Sequence, residues 1–134
     1  MLVASAWDGT IYTWKIQYNE HSTPKAQVQP ITQQKVDAPI LGLCWQADSP
    51  AILLACADNN IKKWDLQSNQ IGTIGQHSQP VKNVASFIFP DNNTSVVISG
   101  GWDARVKFWT WSNPNALNQI GESYVAMPVH YMSC

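Results

Sequence analysis

The chain has 134 residues, a formal net charge of −1 and 13% charged side chains, with much of its polar character carried by Asn and Gln, as at Gln33-Gln34 and Asn92-Asn93. No basic block is available to neutralise phosphates, which argues against nucleic-acid binding dominated by this segment. No apolar run approaches roughly 18 residues and Met1 is not followed by a charged region and apolar core, so neither a membrane span nor a secretory leader is expected, and a cytosolic or nuclear compartment follows.

In chain order, strands are predicted at 2–6, 11–17 and 27–32, then at 40–46, 51–56, 61–66 and 70–75, and then at 81–88, 95–100, 105–111 and 116–121. The apolar runs Leu2-Val3-Ala4, Ile52-Leu53-Leu54-Ala55 and Val96-Val97-Ile98 read as buried strands. The connectors Tyr18 to Pro24, Gln46 to Pro50 and Pro90 to Thr94 are rich in Asn, Asp, Ser and Pro, the residues that loops need. Val125 to Met132 reads as one more opening strand. Helix has almost no support.

Within this order a unit recurs. Asp8, Asp58 and Asp103 are each followed six residues later by a tryptophan (Trp14, Trp64 and Trp109), and the aspartates are separated by 50 and 45 residues. Two turn residues follow each Asp, then an apolar position (Ile11, Ile61, Val106), as in a tight hairpin closing on a second strand. A repeat of this length, four strands long and marked by Asp and Trp, is the signature of WD repeats, so the expected fold is all-β, a WD40 β-propeller. The chain covers an incomplete arc of about two full blades: residues 1–32 as a partial first blade, 36–76 as the second, 77–121 as the third and 124–134 as the start of a fourth. Function then belongs to a binding surface.

His77, Ser99 and Asp103 could serve as base, nucleophile and orienter in acyl transfer. The repeat offers another role. Ser99 lies four residues before the Asp of its own blade, and His77 precedes the strand that opens at Pro80-Val81. With Trp109 they match the structural tetrad of WD repeats, a buried hydrogen-bonded chain that ties loop to strands. No Gly-x-Ser-x-Gly elbow surrounds Ser99, so the tetrad is preferred and no enzyme activity is expected. In the second blade Val36 stands where His77 does and Leu54 where Ser99 does, leaving Asp58 and Trp64; the first keeps Asp8 and Trp14, with Ala4 in the serine position.

Trp7 and Trp102 directly precede the turn Asp and stand outside the Trp14/Trp64/Trp109 column, while Ala57 holds that place in the second blade. A packing requirement would recur in every blade, so the alternation points to local use as peptide anchors on the face where these turns open. The alternative is that the two indoles cover neighbouring loops. Cys44 and Cys56 fall at strand positions and Cys134 is terminal, with no CxxC pair and no His at ligand spacing, so buried thiols are expected, with neither metal nor cofactor.

Several segments together resemble the WD-repeat mRNA export factor family of nuclear pores: Thr23-Pro24-Lys25-Ala26-Gln27, Trp64 to Gln70, Gln76-His77 with Pro80-Val81-Lys82, Ser99-Gly100-Gly101-Trp102-Asp103 with Val106-Lys107-Phe108-Trp109, and Ser112-Asn113-Pro114. The resemblance spans essentially the whole chain. It implies a seven-bladed, non-enzymatic scaffold that docks on the GLEBS motif of an FG-repeat nucleoporin and serves messenger ribonucleoprotein export in the nucleus and at the pore, shuttling to the cytoplasm, with any RNA contact indirect. In that family the Trp before the Asp in the first and third blades lies at the peptide face, which here is Trp7 and Trp102. Departures are Val36 for the usual second-blade His, Thr110-Trp111 where Asp normally follows the blade Trp, and Asn59-Asn60 for a more usual Asp-Lys-Thr turn. The sibling spindle-checkpoint propeller, an adaptor for kinases, shares the His-Pro-Trp-Asp pattern but matches the Thr-Pro-Lys-Ala-Gln segment less well. A generic WD scaffold with another partner is the remaining alternative.

Overall fold

The computed structural model describes residues 1–21 and 23–129, which form eleven strands in three antiparallel sheets. The chain divides into two compact units, residues 1–39 and 40–134.

The first unit holds one sheet in the order β1 (Leu2–Ser5), β2 (Thr10–Tyr18), β3 (Ala26–Lys35). Ile11 and Thr13 point inward while Tyr12 between them is exposed, the two-residue alternation of a strand. Leu2 is 47% exposed, against the expectation of a buried opening strand. The reason is topological: β1 is an edge of its sheet, and among the described residues nothing pairs on its other side. The strand β3 runs to Lys35, beyond the predicted end at 32, because Gln33, Gln34 and Lys35 extend the ladder opposite Tyr12, Ile11 and Thr10. Gly9, at φ +85°, turns the chain from β1 to β2, and a Cβ there would strike the carbonyl oxygens of Val36 and Ala38.

The second unit holds two four-stranded sheets in which chain order is spatial order. One is β4 (Ile40–Trp45), β5 (Ala51–Cys56), β6 (Asn60–Asp65) and β7 (Gln70–Gln76); the other is β8 (Val81–Phe89), β9 (Thr94–Gly101), β10 (Arg105–Asn113) and β11 (Ala116–Tyr124). Every residue of β5 is buried, which its unbroken apolar sequence requires. Leu53, Ala55, Ile61 and Ile74 of the first sheet pack with Val81, Val84, Val97 and Trp109 of the second, so one core joins the two. Burial of such side chains stabilises by about 1.5–3 kcal/mol each, and here it holds sheet on sheet. Burial also pushes the Cys56 thiol up to about 12. Cys44 lies at the margin of the core, and Cys134 lies outside the described residues.

The strand expected after residue 124 is not formed over Val125–Val129; the remainder of that prediction, residues 130–132, lies outside the described residues. Instead the Val125 N–H donates to the Ala104 carbonyl and the Val129 N–H to that of Gly101, both at 2.9 Å, which folds the segment back over the β9–β10 turn.

Candidate functional site

The three repeat aspartates build the same turn. Asp8 Oδ1 accepts the Thr10 N–H at 2.9 Å, Asp58 Oδ1 that of Asn60 at 3.2 Å, and Asp103 Oδ1 that of Arg105 at 3.0 Å. Between the partners one residue is held at positive φ: Gly9 at 85°, Asn59 at 73° and Ala104 at 60°. Glycine adopts this conformation without steric cost and asparagine tolerates it, whereas alanine is strained there. A second element of the repeat, invisible in the spacing, lies in the next segment of chain. The carbonyl of each positive-φ residue accepts a backbone N–H at 2.9 Å: Val36 onto Gly9, His77 onto Asn59 and Val125 onto Ala104. Val36, His77 and Val125 are thus equivalent positions, and only His77 brings a polar side chain.

That side chain completes a buried chain in the third sheet. Trp109 Nε1–H donates to Ser99 Oγ at 2.8 Å, Ser99 Oγ lies 2.7 Å from His77 Nε2, and His77 Nδ1 lies 2.9 and 3.1 Å from the Asp103 carboxylate oxygens. Indole is only a donor and carboxylate only an acceptor, so a neutral imidazole protonated at Nδ1 satisfies every atom: Trp to Ser, Ser to His, His to Asp. Burial pushes the His77 imidazole below its usual value, with Asp103 pulling the other way. For Asp103 burial alone would raise the carboxyl, but the hydrogen bond to His77 and the N–H groups of Arg105 and Ser78 hold it below the ordinary range. Ser99 is fully buried and its oxygen is engaged on both sides, so the Asp-His-Ser order has the connectivity of a hydrolytic triad without a hydroxyl that a substrate can reach.

The other two turns carry less. In the second sheet Leu54 is a buried apolar side chain, as is Val36 after β3 in the first unit, and the Trp64 indole N–H is satisfied locally by Asn69 Oδ1 at 3.0 Å. Asp58 is paired with Lys62 at 2.9 Å; burial opposes its ionisation, but Lys62 and the Asn60 N–H hold it below the ordinary carboxylate range. Trp14 of the first sheet stacks on Tyr12 with ring centroids 5.9 Å apart, and Asp8 is held low chiefly by the Thr10 N–H.

Trp7 is 73% exposed at the first turn and Trp102 is 37% exposed at the third, where the Trp102 backbone N–H donates to the Pro80 carbonyl at 3.0 Å. Each indole therefore presents apolar surface beside a rigid turn, in its own unit.

The family described as WD domain, G-beta repeat matches residues 29–65 and 68–110. Each match begins near the last strand of one sheet and ends in the third strand of the next, so the sequence repeat is offset from the sheet by one strand. The chain is 37% identical to the mRNA export factor rae-1 of Caenorhabditis elegans over 98% of its own length, 31% identical to Protein Rae1 of Drosophila melanogaster over 89%, and 36% identical to the mRNA export factor of Macaca fascicularis over 97%. It spans about a third of each relative, 34%, 32% and 34% respectively. Antiparallel sheets with no helix among the described residues, the repeat matched over residues 29–65 and 68–110, and these similarities along nearly the whole chain show that it belongs to the WD-repeat family, as part of a WD40 β-propeller homologous to mRNA export factors.

Proposed function

We propose that this chain is part of a non-enzymatic WD-repeat scaffold that docks on a GLEBS-type peptide of an FG nucleoporin and supports mRNA export at the nuclear pore. The observation that carries the reading is the similarity to mRNA export factors over nearly the whole chain. The three sheets correspond to consecutive blades in this reading, with limits at the strand ends: the first closing at Lys35, the second running from Ile40 to Gln76 and the third from Val81 to Tyr124. The buried tetrad of His77, Ser99, Asp103 and Trp109 holds the third blade rigid, while the exposed indoles of Trp7 and Trp102 serve as peptide anchors. Trp7 is largely exposed and Trp102 partly so, which supports a role for their indole faces in meeting a partner.

Calorimetric titration of the intact protein with a GLEBS peptide tests this. Trp7→Ala and Trp102→Ala should each weaken binding by roughly 2 kcal/mol or more if both are hot spots. Full affinity in both variants removes the assignment of these anchors, and absence of binding in the parent protein removes the nucleoporin reading.

A further inference from the structure

A cleft lies at the strand ends opposite the aspartate turns. It has a volume of about 420 Å³ and is walled by the β4–β5 turn and β6 on one side and by β9 and β10 on the other. That size falls within the roughly 300–1,000 Å³ of ligand clefts. Among its lining side chains, Gln46 Oε1, Ser95 Oγ and Trp111 Nε1 are buried without a hydrogen-bond partner. Gln46 is only 9% exposed, and its orientation is fixed: Nε2 donates to the Asp48 carboxylate at 2.9 Å, which can only accept, so Oε1 is left over. The turn that carries it is pinned by the Gln46 N–H on the Ala51 carbonyl and the Ala47 N–H on Ser86 Oγ. Trp111, one of the two residues standing where the repeat ordinarily carries Asp, is packed against the core and lies beneath Lys63, whose Nζ is 5.1 Å from the ring centroid.

Orphaned buried polar groups cost about 1–3 kcal/mol each, so three in one cleft point to a ligand that satisfies them. They comprise an acceptor at Gln46, a donor at Trp111 and a hydroxyl able to do either at Ser95. An anion fits poorly: Lys63 already donates to the Pro114 carbonyl at 2.7 Å, while Asp48 and the Gln46 oxygen oppose negative charge. A neutral amide presents the complementary pair, a carbonyl for the indole N–H and an N–H for the glutamine oxygen. We propose that this cleft binds an amide group, from the main chain of an extended peptide or from a carboxamide side chain, at a site separate from the Trp102 turn.

The test follows the Trp111 indole signal of the intact protein by ¹H–¹⁵N correlation, assigned by its loss in Trp111→Phe. Titration with N-acetyl-diglycine N-methylamide represents the main chain, propionamide the side chain and acetate an anion. A saturable shift with either amide, weakened about fivefold in Gln46→Leu as expected for one hydrogen bond, supports the site, and the tighter amide names the source. Should Gln46→Leu disturb the other indole signals, Ser95→Ala reads the same loss. An equal response to acetate, a response unchanged in both variants, or no amide response together with magnetisation transfer from a long-lived water to the indole overturns the proposal.

Discussion

Replacing Ser99 by Ala removes one oxygen and breaks two hydrogen bonds, those with Trp109 Nε1 at 2.8 Å and His77 Nε2 at 2.7 Å. Both partners are sealed, Trp109 and His77 each being 5% exposed, so neither recovers a bond from solvent. An unsatisfied buried polar group costs about 1–3 kcal/mol, and two such groups set the expected loss at about 2–6 kcal/mol. The void left by one oxygen is too small for a bridging water, which needs room for a probe sphere and two to four polar partners. The assay is urea unfolding of parent and variant, read as a shift of the midpoint at constant slope, since an unchanged slope assigns the effect to stability. A surface substitution usually falls within about 0.5 kcal/mol. A loss inside that band would refute the view that the Trp-Ser-His-Asp chain stabilises the third sheet. Loss of a hydrolytic activity at unchanged stability would restore the nucleophile reading of Ser99.

Three further outcomes follow from the same geometry. The unfolded chain protonates His77 near pH 6.5, whereas burial holds the folded imidazole neutral to lower pH; the unfolded state therefore binds more protons in the window below about pH 6.5, so this contribution is complete above it and is lost as pH falls through it. Urea midpoints across that range should fall with acidification by up to about 1.4 kcal/mol per pH unit, and His77→Gln should flatten this part of the profile. In Gly101→Ala the new Cβ would lie 2.7 Å from His77 Nδ1 and 2.8 Å from Asp103 Oδ1, atoms locked in the buried chain; a melting temperature unchanged within error would show that the chain yields. Ala104→Gly should stabilise by about 0.5–1 kcal/mol, because Ala104 sits at φ +60° where the missing Cβ relieves strain; chemical denaturation checks the sign, and a net loss would show that the buried methyl outweighs the strain.

The sequence by itself determined the strand order, because apolar runs alternate with turn residues at a fixed period, and the Asp-to-Trp spacing marked the hairpin that closes at each Asp. His77, Ser99, Asp103 and Trp109 are grouped by the WD-repeat tetrad pattern, which the other blades do not repeat, since Val36, Leu54 and Ala4 stand there instead. Other features depend on distant backbone that no local pattern encodes. The Trp64 indole finds Asn69 only because Asn69 adopts φ +57° in the β6–β7 turn. Exposure of Leu2 is decided by what lies beside β1, and the joining of Val125 to the Val36 and His77 positions by the carbonyl of Ala104. Strand pairing of β9 with β10 sets Ser95 beside Trp111, and only the packing of sheet on sheet brings Gln46 to the same cleft. Local periodicity fixes which face of a strand is apolar, whereas the hydrogen-bond partner of a buried polar atom is fixed by the tertiary neighbour that arrives there.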